Sequence, residues 1–330
     1  MSGRVTIKSI ARDLGVSHMT VSRALSDHPN VRPELRRSIR DRAAELGYVR
    51  SAAASAMRGD GAPVVGLLLP GLVNEFYARF ADAFGRCCED LELHLTIHLT
   101  NDDAERERLS IRRLRELDAG AVVMVPTRGA AATLESLPPD MRIIHLIRRG
   151  SRPRRANALL VDDGVSIAEA VSHLAAAGHV RIAYIGAGRT LSSGRERLRA
   201  YTEAVQRHDL DPDPALVRTE PPSFDMGRTS ALTLVRGKAR PTALVCGGVE
   251  MSNGALDACL GAGLSLPDDL AFVGYGDPSF YRWIHGGIST IALPVDELVR
   301  EAASMLVPGE AASGVRKVSL PTSLVLRRSA

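Results

Sequence analysis

The chain has 330 residues, 45% of them hydrophobic and 24% charged, and this composition excludes a wholly disordered protein. No uncharged apolar run reaches the roughly 18 residues that cross a bilayer, and residues 1–15 mix charged with apolar side chains, so neither a membrane protein nor a secreted one is expected. Residues 1–60 hold 11 Lys/Arg and 6 Asp/Glu, whereas the remainder carries a net charge of −1. This distribution indicates a phosphate-binding module joined to a near-neutral body, although a solvated basic face is the alternative.

Residues 1–49 carry the pattern of three short helices. Thr6 is a good N-cap for the first helix, and Gly15 permits the left-handed backbone that ends it in a sharp turn. Ser17 caps the second helix, and the third should begin at Pro33 and stop at Gly47. The predicted inward residues are Ile7, Ile10, Ala11, Leu14, Val21, Ala24, Leu25, Ile39, Ala43 and Leu46. Two helices joined by a tight glycine turn and braced by a third form a helix-turn-helix.

In a helix-turn-helix the second helix enters the major groove of DNA. Its exposed N-terminal residues here are His18 and Met19, and a bidentate pair from Arg23 to guanine contributes about 1–3 kcal/mol of discrimination. Hydroxyl groups near the helix start can bind phosphates, which position the module without specifying sequence. A plain three-helix bundle with a polar face is the structural alternative. The predicted DNA-binding residues of the head are Thr6, Ser17, His18, Met19, Thr20, Ser22 and Arg23.

The segment VTIKSIARDLGVSHMTVSRALSDHPNVRPELRRSIRDRAAELGYV resembles the DNA-binding head of the LacI/GalR (lactose repressor) family of bacterial regulators. Its most specific part is GVSHMTVSRAL. The resemblance implies that the main base-reading residues are His18, Met19 and Arg23. Ser9 stands where the family usually has an acidic residue, and Arg32 precedes Pro33 where a capping serine is common. Both departures affect helix starts, so they bear on stability rather than on function.

Residues 50–62, RSAAASAMRGDGA, form a predicted hinge and linker. The alanines favour a helix over Arg50–Arg58, but nine residues are too few for a stable isolated helix in water. The resemblance implies a hinge helix that pairs with its dimer mate and inserts Met57 into the minor groove, with Ala54 one turn before it. Arg50-Ser51 replaces the Pro-Asn of the family. An alanine-rich linker without a role in DNA binding is the alternative.

Residues 63–330 alternate apolar runs with stretches of helical length. This alternation is typical of βαβ units, with parallel sheets covered by helices and ligands bound beyond the carboxyl ends of the strands. The resemblance extends through this body and implies a two-lobed periplasmic-binding-protein fold, with lobe crossings near residues 160, 290 and 321. The fold class is therefore a small all-α head on an α/β two-lobed body. The predicted buried strands are VVGLLLP, LHLTIHL, GAVVMVP, RIIHLI, RIAYIG, TALVCG and LAFVGYG.

The cleft between the lobes departs from the sugar-binding pattern of the family. The resemblance places Arg148 and Gly276 where family members carry ligand-binding aspartates, and Gly248 where they carry asparagine, but it keeps the ligand arginine as Arg197. Because carboxylates repel an anion and arginines bind it, we hypothesise an effector with an acid group, such as a sugar acid. The alternative is that Arg148 faces solvent. The predicted ligand-binding residues are Phe76, Tyr77, Arg148, Arg197, Phe224, Gly248 and Gly276, with Trp283 as a further candidate wall.

The segment NEFYARF is similar to the Asn-Pro-Phe-Phe segment of the family, with Glu75 in place of proline.

These patterns predict a cytoplasmic homodimeric repressor that binds operator DNA and a small-molecule effector. The chain lacks G-x-S-x-G, H-E-x-x-H and G-x-x-x-x-G-K-[ST], and its nine histidines are scattered singly. We therefore predict no catalytic residues, no metal, no cofactor and no membrane partner, and the four cysteines suit a reducing compartment. A sugar-binding protein without DNA regulation is the main alternative, and an enzyme is the second. The sequence does not identify the effector or decide whether it induces or corepresses. It favours a dimer but leaves a tetramer open.

Overall fold

The computed structural model describes residues 5–25, 28–48, 63–127, 141–150, 156–237, 240–306 and 314–330. The chain divides into two compact units, residues 1–62 and 63–330, called here the head and the body. The predicted hinge helix, with Ala54 and Met57, lies outside the described residues. Among the described residues, no helix is both long enough and apolar enough to span a bilayer.

The described part of the head contains three helices, α1 (Ile7–Asp13), α2 (His18–Leu25) and α3 (Pro33–Glu45). Gly15 and Gly47 follow the first and third helices with φ values of +62° and +63°, the left-handed conformation that glycine adopts without steric cost. Three side chains with no exposed surface, Ile10, Val21 and Ile39, form the centre of the shared core. The predicted helix-turn-helix is confirmed.

The start of α1 corrects one expectation from the sequence. Thr6 accepts a hydrogen bond from the Ser9 backbone N–H (3.3 Å), and the Ser9 hydroxyl accepts one from the Thr6 N–H (2.8 Å). These reciprocal bonds form a capping box, so Ser9 stabilises the helix start that it was expected to weaken. Arg32 makes no side-chain cap for α3, where Pro33 occupies the first helical position instead.

The described part of the body alternates strands with helices. The strands are β1 (Val64–Leu69), β2 (His94–Leu99), β3 (Ala121–Met124), β4 (Arg142–Ile147), β5 (Ala156–Asp162), β6 (Ile182–Ala187), β7 (Val217–Glu220), β8 (Ala243–Gly247), β9 (Ala271–Tyr275), β10 (Ser289–Ala292), β11 (Lys317–Pro321) and β12 (Ser323–Val325). The helices are α4 (Glu75–Asp90), α5 (Ala104–Glu116), α6 (Gly164–Ala176), α7 (Ser192–Arg207), α8 (Phe224–Arg236), α9 (Val249–Gly261) and α10 (Val295–Leu306).

These strands form two six-stranded sheets, ordered β11-β5-β4-β3-β1-β2 in the first lobe and β12-β10-β9-β8-β6-β7 in the second. All described pairings are parallel except β10 with β12, which is antiparallel. Helices α4, α5 and α10 pack in the first lobe, and α6–α9 pack in the second.

The chain passes between the lobes three times. It leaves the first sheet after β5, returns after β10, and crosses again in the single residue Thr322 between β11 and β12. The Thr322 N–H and hydroxyl both donate to the Asp162 carbonyl, at 3.2 and 3.3 Å, so two of the crossings are tied together. Two of the three crossings therefore form one hydrogen-bonded connection between the lobes.

The predicted strands are present, but one of them is not buried. Strand β2 lies at an edge of the first sheet, and Ile97 and Leu99 are 42% and 45% exposed. Its interleaved histidines mark a strand covered on one face only, whereas the apolar run alone suggested a fully buried strand.

Candidate nucleic-acid interface and ligand cleft

Helix α2 has two chemically distinct faces. Val21 and Ala24 are fully buried against α1 and α3, whereas His18, Met19 and Arg23 are exposed. Because a helix N-terminus also presents free backbone N–H groups, this end of α2 offers donors and an apolar group together. Met19 is 53% exposed, so its side chain is accessible to a partner. The predicted base-reading residues thus share one surface.

The hydroxyl groups of Ser17 and Thr20 at the start of α2 lie within hydrogen-bond distance of each other and leave one O–H group to donate elsewhere. The Ser17 Oγ accepts from the Thr20 N–H (3.0 Å) and lies 2.9 Å from the Thr20 hydroxyl. Since only one of these two hydroxyls can donate to the other, one O–H group remains for a phosphate oxygen. Ser22 is half-buried on the same helix, and Thr6 serves as the cap of α1.

The arginines of the head differ in their contacts with the rest of the head. Arg42 on α3 binds Asp13 of α1 at 2.8 Å and Glu45 at 2.9 Å, so it fastens two helices. Arg36 donates to the carbonyls of His28 and Val31, which secures the loop before α3. Arg23 is exposed and forms no ion pair with a described residue.

The cleft of the body opens between the two lobes and encloses about 430 Å³, a volume typical of small-molecule sites. Its wall in the first lobe is built from the start of α4 and the segments that follow β2 and β4. Its wall in the second lobe is built from the starts of α7, α8 and α9 and the end of β9. The lining includes Asn74, Phe76, Tyr77, Asp102, Arg148, Arg197, Phe224, Gly248, Glu250 and Tyr275.

Arg148 is the centre of the first-lobe wall. It is only 5% exposed, and its Nη2 lies 2.5 Å from the Asp102 Oδ1. Asp102 follows β2 with a φ of +54° and is one-third exposed. Burial raises the pKa of Tyr77, and the nearby Arg148 partly offsets that shift. The alternative that Arg148 faces solvent is wrong, because a carboxylate from another strand end holds it inside the cleft.

Arg197 is the centre of the second-lobe wall. Its Nε lies 2.6 Å from the Asp163 Oδ2, its Nη1 donates to the Gly247 carbonyl at 3.0 Å, and its guanidinium stacks 4.3 Å from the Tyr275 ring centre. The Tyr275 hydroxyl donates to the other Asp163 oxygen at 2.7 Å. The Arg197 Nη2 is buried without a hydrogen-bond partner among the described residues.

Other carboxylates stand in for the two family aspartates that are missing at positions 148 and 276. Asp102 and Asp163 each neutralise one of the two cleft arginines. A further carboxylate, Glu250, lines the second-lobe wall, where burial raises its pKa. The charges of the cleft therefore do not sum to a cation.

The other predicted cleft residues divide into lining and non-lining positions. Phe76, Phe224 and Gly248 line the cleft, although Phe76 also belongs to the core. Gly276 does not line it: its φ is +102°, and a side chain there would clash with Val249. Trp283 is 72% exposed and likewise lies outside the lining. The sequence reading missed Asn74, Asp102, Glu250 and Tyr275 as lining residues and Asp163 behind them.

The aspartate that follows Gly276 also faces away from the cleft. Arg327 binds both carboxylate oxygens of Asp277, at 2.6 and 3.1 Å, so this carboxylate is held in the second lobe's own framework. Within the described ranges, no group of three or more His, Cys, Asp or Glu side chains is positioned to hold a metal ion.

Comparison with known proteins gives two matching families. Residues 6–51 match the bacterial regulatory proteins of the lacI family, and residues 171–330 match the periplasmic binding protein-like domain. The chain is 27% identical over 305 residues to the HTH-type transcriptional regulator GalR of Salmonella typhimurium (strain SL1344), covering 91% of this chain and 88% of that protein. It is 28% identical over 334 residues to the ribose operon repressor of Haemophilus influenzae, covering 98% of each.

Solved structures share the fold over most of the chain. The lac repressor dimer bound to operator and the anti-inducer ONPF is 22% identical, with 99% of each chain covered and a TM-score of 0.82. A LacI family transcriptional regulator from Lactobacillus casei with bound glucose is 24% identical, with a TM-score of 0.67 over 81% of this chain and 100% of that one. At these identities the likeness shows the fold alone.

Proposed function

We propose that the chain, whose residues 6–51 match the lacI family of bacterial regulatory proteins, represses transcription by binding an operator as a homodimer whose DNA affinity a cleft ligand controls. It is a DNA-binding transcriptional regulator and not an enzyme. DNA as the partner is consistent with a cytoplasmic location.

The exposed face of α2 is the observation that carries the DNA-binding role. His18 and Met19 at the start of α2 and Arg23 in its last turn are exposed, while Val21 and Ala24 on the opposite face are fixed in the head core. A homodimer would place two such helices on a pseudo-palindromic operator, with the half-site spacing set by the dimer symmetry. The related lac repressor is described as a dimer bound to operator, which supports this arrangement. Insertion of Met57 into the minor groove, with Ala54 one turn before it, remains a prediction of the resemblance.

Selection from a random DNA library with the full chain tests this role. We expect an enriched pseudo-palindrome, since two identical heads read two identical half-sites. The variant Arg23→Ala should enrich a degenerate sequence at the positions that Arg23 reads, whereas Arg37→Ala, an exposed arginine of α3, should reproduce the wild-type motif. A wild-type selection without an enriched motif would contradict sequence-specific binding.

For the effector, we propose a sugar-type neutral polyhydroxyl compound. The supporting observation is the pairing of both cleft arginines with carboxylates, because it leaves donors and acceptors side by side without net positive charge. Hydroxyl groups both donate and accept hydrogen bonds, so they match a wall that offers donors and acceptors together. An anion gains little electrostatic attraction from a wall without net charge. Family members carry a ligand-binding aspartate at the position of Arg148. In this chain Asp102, the partner of Arg148, offers a carboxylate acceptor at the same wall.

An acid-bearing effector, the hypothesis from the sequence, is the second candidate. It is favoured by the Arg197 Nη2, which is buried without a described partner and could donate to a carboxylate. The pairing of Arg148 with Asp102 and of Arg197 with Asp163 opposes it, because the paired charges leave no net positive charge to attract an anion.

Thermal shifts of the full chain with matched neutral sugars and their acids separate these candidates. A ligand at 100 times its Kd stabilises the native state by about 2.7 kcal/mol, which moves the unfolding midpoint by several degrees. We expect a shift with a neutral sugar and none with its acid. A shift with the acid alone would establish the second candidate instead.

Coupling of the cleft to the head follows from linkage. If closure of the cleft shifts the lobes and the hinge, then effector and operator must change each other's affinity by the same factor. We propose that the effector relieves repression.

A further inference from the structure

Glu75 and Ser279 join the two lobes directly. Glu75 is the first residue of α4 in the first lobe, and Ser279 lies four residues beyond the end of β9 in the second. The Ser279 N–H donates to both Glu75 carboxylate oxygens, at 3.0 and 3.1 Å, and its hydroxyl donates to Oε2 at 3.2 Å. One residue of the second lobe thus gives three hydrogen-bond contacts to one carboxylate of the first.

Local structure on each side prepares this contact. Asn74 caps α4 by accepting from the Phe76 N–H at 3.1 Å, which fixes the direction of the helix at Glu75. Pro278 precedes a short 3-10 helix, Ser279–Arg282, whose first N–H has no partner within the helix. That free N–H meets an ionised acceptor, and such charge-assisted hydrogen bonds are stronger than neutral ones.

The contact lies beside both walls of the cleft. In the first lobe, the neighbours of Glu75 along α4, Asn74, Phe76 and Tyr77, line the cleft, and in the second lobe Tyr275 lines it at the end of the strand that leads to Ser279. Any motion that separates Glu75 from Ser279 therefore moves one wall relative to the other.

A second hydrogen bond between the lobes provides an independent reporter. The Arg149 N–H, after β4 of the first lobe, donates to the Ser192 Oγ at the start of α7 in the second lobe, at 3.0 Å. It shares no residue with the Glu75–Ser279 contact. If the lobes separate as units, both bonds must open together.

We propose that Glu75 is a positioning residue whose contact with Ser279 shifts the effector-free cleft toward its closed state. If the effector binds only the closed cleft, its apparent affinity is proportional to the fraction of molecules that are closed. The contact between Glu75 and Ser279 increases that fraction. It would therefore raise the affinity for the effector without touching the effector. The proposal rests on the proposed role of the cleft as the effector site. The proline that the resemblance leads one to expect at position 75 has no side-chain acceptor and could not make this contact.

Hydrogen exchange of the full chain, without DNA or ligand, tests the proposal. The variants are Glu75→Ala and Glu75→Pro, the second of which keeps a residue suited to the first helical position. Two segments are followed, residues 276–282 with the Ser279 amide and residues 141–150 with the Arg149 amide. We expect exchange of both amides to rise about tenfold in both variants, because loss of a charged hydrogen bond shifts the opening equilibrium by about that factor.

Two controls separate opening of the lobes from a local effect. Glu89→Ala removes an exposed carboxylate at the other end of α4 and should leave both segments unchanged. Glu75→Gln keeps an acceptor oxygen and should give an intermediate rise at both amides. A rise confined to residues 276–282, or no rise at either amide, would overturn the proposal. Neither result would bear on DNA binding or on the ligand class, since the experiment contains no DNA and no ligand.

Discussion

The head and the cleft use arginine in opposite ways. Arg23 in the head is exposed and has no ion pair with a described residue, whereas Arg148 and Arg197 in the cleft are 5% and 6% exposed and each binds a carboxylate. An exposed arginine keeps its charge available for a polyanion. A buried arginine must be neutralised by its own fold, because an unpaired charge in the interior costs several kcal/mol. The difference shows that the residue type alone does not reveal what an arginine binds.

Removal of the partner of Arg197 should have the largest effect. Asp163→Ala leaves a buried guanidinium without its carboxylate and the Tyr275 hydroxyl without its acceptor, so the body should lose about 3–5 kcal/mol of unfolding free energy. Urea denaturation measures this loss. Asp257→Ala, which breaks the half-exposed pair with Arg228, should cost less than about 1 kcal/mol. Equal losses in the two variants would contradict the distinction between buried and exposed arginines.

A buried histidine extends the comparison to pH. Burial lowers the pKa of His145 to about 4, and its Nδ1 accepts from the Gly150 N–H at 3.3 Å. The unfolded chain therefore binds a proton on this side chain at a higher pH than the folded chain does. Stability should be full above pH 6.5 and fall between pH 6.5 and 4, by about 2 kcal/mol at pH 5. His145→Asn should be less sensitive to pH over this interval, as measured by urea denaturation at pH 7 and pH 5. An unchanged dependence would place the titration elsewhere.

Loss of the exposed arginine should alter specificity and leave stability intact. Arg23→Ala should reduce the preference for the selected operator over scrambled DNA by about 1–3 kcal/mol, because one bidentate base contact is lost. Fluorescence anisotropy with both DNAs measures the preference, and the unfolding midpoint of the head should stay unchanged. Retention of full selectivity would remove Arg23 from the base-reading surface.

The smallest effect concerns the capping box of α1. Ser9→Ala removes the hydroxyl that accepts from the Thr6 N–H and should destabilise the head by about 0.5–1 kcal/mol. Ser38→Ala, at an exposed position inside α3, should be neutral or slightly stabilising because alanine is the better helix former. Thermal unfolding followed by circular dichroism compares the two. Equal midpoints would mean that the capping box contributes nothing.

The sequence predicts local features of this molecule well and distant pairings poorly. The helices of the head follow from apolar spacing, from Gly15 and from Pro33, all of which act within a few residues. The paired side chains of the cleft do not follow from local features. Asp102 and Arg148 are 46 residues apart in the sequence, and Asp163 and Tyr275 are 112 residues apart. Strand β2 was misjudged for the same reason, since only the strand order places it at an edge. The position of the cleft was accessible from the sequence, but its charge balance depended on tertiary contacts.

The most direct test of the account is linkage between cleft and head. Operator affinity of the full chain should be measured with and without the compound that shifts its thermal midpoint. The account predicts that the compound weakens operator binding, and that operator weakens binding of the compound by the same factor. An operator affinity that does not change at saturating compound would contradict regulation through the cleft and would leave a DNA-binding head beside an uncoupled ligand-binding body.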